Sequence, residues 1–176
     1  TSVEQLDDPS LLDKPVVVGG APENRGVVAA ASYDARNYGI HSAMSMRRAI
    51  ELCPSLVRIQ PRFSRYREIS KMVMEVFHRF TDLVEPIALD EAYLDITANI
   101  EDGFATKDVA VDIQEAVKRH VGLTLSIGVS MSKAVAKIAS DINKPNGLVI
   151  IDPGEEEMFL APLPVNKLWG IGPKTA

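Results

Sequence analysis

Residues 87–97 read IALDEAYLDIT, and Asp90 and Glu91 stand side by side within an apolar run. Burying one carboxylate is costly, and burying two adjacent ones is worse. Neighbours on a strand point to opposite faces, so the pair can converge only where the chain turns. Two carboxylates within ~4–6 Å of each other then require positive charge nearby. A divalent cation supplies it: Mg²⁺ prefers oxygen ligands, takes one or two carboxylates, and completes its shell with water and substrate phosphates. Two such ions ~3.5–4 Å apart can activate a hydroxyl and hold a leaving phosphate. The plainer alternative has Asp90 capping a turn and Glu91 in solvent.

Other residues suit phosphate chemistry. Tyr33 and Arg36 in SYDARNYG are three apart and share a face if the segment is helical. A phenol hydroxyl and a guanidinium fork are good donors to phosphate oxygens. The alternative is an exposed arginine over an aromatic ring. Lys144 in NKPNG sits where a helix must stop before Pro145, as a cationic arm or as an ordinary C-terminal lysine facing the helix dipole. In the closing LWGIGPKTA, Gly170 and Gly172 form a Gly-x-Gly turn of the helix–hairpin–helix kind. Its backbone N–H groups, with Lys174, could hold DNA phosphates without reading sequence. Taken alone, the same glycines are only a tight turn.

The elements that must carry these residues follow from periodicity. PVVVGG (15–20) reads as a buried strand. Residues 25–39 start as a strand of small residues and turn polar, and 44–54 form a helix with Met46, Ile50 and Cys53 on its apolar face. SLVRIQP (55–61) is a short strand; 64–84 is a long helix with Ile69, Val73, Val76, Phe77 and Phe80 at helical spacing. The carboxylate stretch reads as strand–turn–strand. Residues 106–122 form a helix capped by Thr106 and stopped by Gly122. LTLSIGVS (123–130) alternates as a strand, Ser132 caps a helix that Pro145 ends, and GLVII (147–151) is another strand. The order predicts an α+β fold with helices packed on a largely antiparallel sheet.

Length and composition fit this. The chain has 176 residues, 46% of them hydrophobic and 24% charged, enough for one ordinary domain or two small ones. The single cysteine, Cys53, rules out an internal disulfide, points to the cytoplasm, and reads as a small buried hydrophobe. No apolar run reaches the roughly 18 residues of a membrane span, so no membrane partner is expected. A net charge of −5 argues mildly against nucleic acid. It hides a basic stretch at 58–71, where Arg58, Arg62, Arg65, Arg67 and Lys71 face only Glu68. The chain opens TSVEQLDDPSLL without a methionine, and a fragment of a longer protein is expected.

Together, and in this order along the chain, SYDARNYGI, DEAYLD, GVSMSKAVAKIASDINKPNG and LPVNKLWGIGPKTA resemble four motifs of the Y-family of translesion DNA polymerases, of the bacterial polymerase IV type. The resemblance covers essentially the whole chain. It implies palm at 1–8 and 63–165, a small α/β fingers subdomain at 9–62, and the start of a thumb at 166–176. By matched position, Asp90 and Glu91 resemble two of three metal-binding catalytic carboxylates; Tyr33, Arg36 and Lys144 resemble the triphosphate ligands. Ala29 and Ala43 resemble small residues that roof the nascent base pair. Gly170, Gly172 and Lys174 resemble DNA-phosphate contacts. The implied cofactor is Mg²⁺, two ions per site, with Mn²⁺ able to substitute. The implied partners are primer–template DNA and deoxynucleoside triphosphates, with a sliding clamp engaged through a C-terminal segment outside this chain and the protein acting as a monomer.

Some positions depart from the family pattern. Its first catalytic aspartate and steric gate lie just before a sequence like TSVEQ, and neither Asp7 nor Asp8 matches that aspartate. With two of three carboxylates, the 176 residues alone are expected to be nearly inactive. Ala30 stands where many relatives carry Ser or Thr, and SMSK replaces a common Ser-x-Asn-Lys. Two other readings stay open: a nucleotidyl cyclase built on a similar palm, and a non-catalytic nucleotide- or DNA-binding relative.

Overall fold

A computed structural model describes residues 1–168, 170 and 171. The chain divides into two compact units, Thr1–Ile69 and Ser70–Ala176.

The first unit begins with helix α1 (Ser2–Asp7), followed by strands β1 (Val16–Gly19) and β2 (Val28–Ala31), the single turn α2 (Tyr33–Arg36), helix α3 (Met46–Leu52) and strand β3 (Val57–Ile59). The sheet order is β2-β1-β3, with β1 antiparallel to β2 and parallel to β3. β1 is the central strand, and all four of its residues are buried. That is why its sequence is a continuous valine run rather than an alternation. Val17, Val28, Ala31, Ala35, Ile40, Met46, Ala49 and Cys53 form the core beside it. On α3 the buried stripe is Met46, Ala49 and Cys53; Ile50, expected on that face, is exposed. Ile50 points away from the stripe that these three residues share.

The basic stretch has a structural task here. Glu4 of α1 is 4% exposed. It accepts from Arg62 Nε at 3.0 and 3.1 Å and from the Tyr66 hydroxyl at 2.5 Å. Asp7 accepts from Arg62 and Arg65, each at 2.8 Å. These bonds tie α1 to the start of helix α4 (Phe63–Phe77).

The second unit takes up the rest of α4, then strands β4 (Val84–Ala88) and β5 (Glu91–Leu94), the short α5 (Thr97–Glu101), helix α6 (Thr106–Val121), strand β6 (Ile127–Val129), helix α7 (Lys133–Ile142), strand β7 (Leu148–Ile150) and the short α8 (Glu156–Leu160). β4 and β5 form an antiparallel hairpin, while β6 and β7 pair in parallel. The α+β expectation holds, with the strands sorted into three small sheets. α6 buries Val109, Ala110, Ile113, Val117 and Val121, each larger side chain contributing about 1.5–3 kcal/mol. Its N-cap is Ala105 rather than Thr106, which is the first helical residue and makes no side-chain cap. Gly122 stops it as expected, at φ 82°.

Two expected elements are shorter. α4 ends at Phe77, and Arg79 and Phe80 continue as tight turns through bonds to the Val76 and Phe77 carbonyls. Those turns keep a three-residue step, so the apolar spacing outlasts the helix. β6 begins only at Ile127; Leu125 stays outside the ladder, and its carbonyl accepts the side-chain amide of Gln114 from α6 at 3.0 Å.

Candidate active site

The carboxylate pair sits where the chain reverses. Ala88 pairs with Glu91, so Leu89 and Asp90 form a two-residue hairpin loop. The register slips between Pro86 and Ala88, a bulge of the kind that re-aims side chains beside active sites. The turn that convergence requires is present. The burial cost is avoided: Asp90 is exposed and Glu91 half-buried. Asp90 has no ion pair or hydrogen bond among the described residues.

Glu91 does have a partner, and the sequence reading missed it. Lys137 of α7 places Nζ 2.6 Å from Glu91 Oε1, with its side chain only 12% exposed. Desolvation pulls the Lys137 pKa down, but the Glu91 hydrogen bond and the charges of Asp141, Glu91 and Tyr93 outweigh it and leave the pKa raised. The ammonium stays charged. An alternating line of charge follows: Glu91, Lys137, then Asp141 4.0 Å from Lys137, then Lys144 paired with Asp141. Lys144 and Glu91 therefore share one network within this unit. The signal available in sequence was AKIASD, where Lys137 and Asp141 are four apart on a helix with an apolar opposite face. Asp95, the other carboxylate of DEAYLD, accepts from the Thr97 backbone at 2.9 Å. Hydrogen bonding by Thr97 lowers its pKa, and it acts as a local turn anchor.

In the first unit, Ser32 fixes the other candidates. Its hydroxyl accepts from Val16 N–H at 3.0 Å and Ala35 N–H at 3.2 Å, and donates to the Lys14 carbonyl. One buried side chain thus joins β1 to α2. Tyr33 and Arg36 stand exposed on α2, the guanidinium 5.9 Å from the tyrosine ring centroid. Arg36 Nε donates to the Ala31 carbonyl at 3.3 Å, and its two terminal nitrogens have no hydrogen-bond partner among the described residues. Ala29 and Ala43 are brought together, because Ala43 N–H donates to the Val28 carbonyl and the Ser42 hydroxyl to the Ala29 carbonyl. Both alanines are exposed. Gly170 has φ 87° in a turn closed by Ile171 N–H to the Leu168 carbonyl. Gly172 and Lys174 lie outside the described residues.

Residues 1–141 match the model of the impB/mucB/samB family, and residues 153–176 match the IMS family HHH motif. The chain belongs to the impB/mucB/samB family. It is 49% identical to proteins named DNA polymerase IV from Listeria monocytogenes serotype 4a and Pseudomonas putida, across 99% of its own length and 49% of theirs. The chain thus spans about half the length of the curated relatives it matches. Among solved structures it resembles DinB from Sulfolobus solfataricus (TM-score 0.91, 34% identity, 98% of this chain and 51% of that one). It also resembles an insertion ternary complex of Dbh DNA polymerase (TM-score 0.90, 33% identity, 98% and 51%).

Proposed function

We propose that the protein containing this chain is a template-directed DNA polymerase of the translesion type, acting in DNA damage tolerance. It joins a primer 3′-OH to the α-phosphate of an incoming deoxynucleotide. The observation that carries this is the β4–β5 hairpin, with Asp90 in its loop and Glu91 opening β5, in a chain of this family. Palm would span 1–8 and 63–165, fingers 9–62, and the thumb would start at 166.

The donor set fits a hard divalent ion that takes one or two carboxylates and completes its shell with water and phosphate oxygens: Asp90 is exposed and unpaired, and Glu91 is half-buried beside it. Bound Mg²⁺ would supply Lewis-acid stabilisation of the phosphoryl oxygens. Asp90 and Glu91 would hold it. Tyr33 and Arg36 would donate to the triphosphate, the guanidinium through its two unpartnered nitrogens. Lys144 would exchange Asp141 for a phosphate oxygen. These roles are positional and electrostatic, because phosphoryl transfer asks the protein for little else. Ala29 and Ala43 would leave room above the nascent pair. Primer–template DNA would run past Gly170, Gly172 and Lys174, a clamp would bind outside this chain, and the protein would work as a cytoplasmic monomer. The match of 153–176 to an HHH motif favours this reading over a cyclase, which needs no DNA. Primer extension with Mg²⁺ tests it: template-dependent synthesis supports the reading, and product formed from nucleotides without DNA refutes it.

A further inference from the structure

Lys137 is mounted more rigidly than an ordinary helix-surface lysine. Its neighbours on α7 press directly on β6: a β-carbon at Gly128 would meet the Ala136 carbonyl oxygen at 2.1 Å and the Ser140 nitrogen at 2.4 Å. The helix backbone therefore has no slack where Lys137 departs from it. The side chain is mostly covered and ends on one carboxylate oxygen of Glu91, while Asp90 next to it stays unpaired.

We infer that Lys137 is a positioning residue that fixes the Glu91 carboxylate and competes with the divalent ion for it. The inference rests on the polymerase reading above. A fixed ammonium 2.6 Å from a metal-ligating oxygen has two opposed effects. It holds the carboxylate in one orientation, which favours catalysis. It also repels the incoming cation and occupies one of its ligands, which weakens binding. Removing the charge should therefore separate affinity from rate, and loss of a purely structural contact would not.

The test uses the protein containing this chain, with Mn²⁺ alone as probe, read by the electron paramagnetic resonance of free and bound ion. Lys137→Met should tighten the Asp90-dependent Mn²⁺ site by about thirtyfold, the scale of one unit charge acting on a divalent ion about 4 Å away in water-screened surroundings. Its kcat for primer extension should fall, with KM for the nucleotide little changed. Lys137→Arg should restore the unsubstituted affinity and most of kcat. If Lys137→Met does not fold, Lys137→Gln, which keeps an N–H donor but no charge, should give the same tightening. Unchanged or weaker Mn²⁺ affinity in a folded neutral variant overturns the inference and leaves the polymerase reading standing. Absence of Asp90-dependent Mn²⁺ binding in the unsubstituted protein overturns both.

Discussion

Gly128 of β6 and Ala136 of α7 touch through backbone: a β-carbon on the glycine would lie 2.1 Å from the alanine carbonyl oxygen. Neither partner atom belongs to a flexible side chain, so nothing can yield cheaply. Gly128→Ala should push α7 off its strand and cost about 1–3 kcal/mol, the usual penalty of overpacking. Denaturant unfolding of the purified variant would measure it. An unchanged midpoint would mean that helix and strand are not held this closely.

The Ser32 hydroxyl joins β1 to α2 through three bonds. Ser32→Ala leaves the Val16 and Ala35 N–H groups without that acceptor in a buried place. The expected loss is about 1–2 kcal/mol of stability. Because α2 carries Tyr33 and Arg36, nucleotide KM should rise more than kcat falls. Equal nucleotide KM in variant and parent would detach α2 from substrate binding.

Asp7 should titrate far below an ordinary aspartate. Hydrogen bonds from Arg65 and then Arg62 hold its pKa at about 2, against the usual 3.8. A depressed carboxylate contributes stability above its unfolded pKa and loses it as pH falls through the folded one. The α1–α4 tie should therefore be intact above about pH 4 and weaken between pH 4 and 2. A carboxyl titration by NMR should place the Asp7 midpoint near the lower figure, and Arg65→Ala should move it upward. A midpoint in the ordinary range would show the arginines are not engaged.

Ala43 has φ 67°, the left-handed region, where a β-carbon is strained. Ala43→Gly should be neutral or slightly stabilising, while Ala43→Val should cost about 1–2 kcal/mol. Thermal melts of the pair decide this. If valine is tolerated as well as glycine, the loop holding Ala43 beside β2 does not have this conformation.

Much of this was legible in the amino-acid order, for identifiable reasons. Val16–Val18 announce a strand buried on both faces, and DEAYLD contains its own turn. Cys53 reads correctly as a buried hydrophobe at 1% exposure. Local signals failed where a distant residue intervened. The Leu123–Val129 alternation suggests a longer strand, but Gln114 takes the Leu125 carbonyl from a position eleven residues earlier. The basic run at 58–71 resembles a solvated or nucleic-acid-facing surface, yet Arg62 and Arg65 close on Glu4 and Asp7, more than fifty residues away. Lys137 escaped for the same reason: its partner, Glu91, is 46 residues distant. The Thr106 cap failed by a single residue: Ala105 takes the N-cap position and Thr106 opens the helix.

The central claim is that Asp90 holds the divalent ion that nucleotidyl transfer requires. It is exposed and unpaired, so replacing it should not disturb folding. The direct measurement is primer extension by the protein containing this chain, unsubstituted and as Asp90→Ala, at matched stability and Mg²⁺. The account predicts a loss of about a hundred- to a thousandfold in kcat, the scale of removing a principal electrostatic stabiliser. Extension by Asp90→Ala at the unsubstituted rate would contradict it.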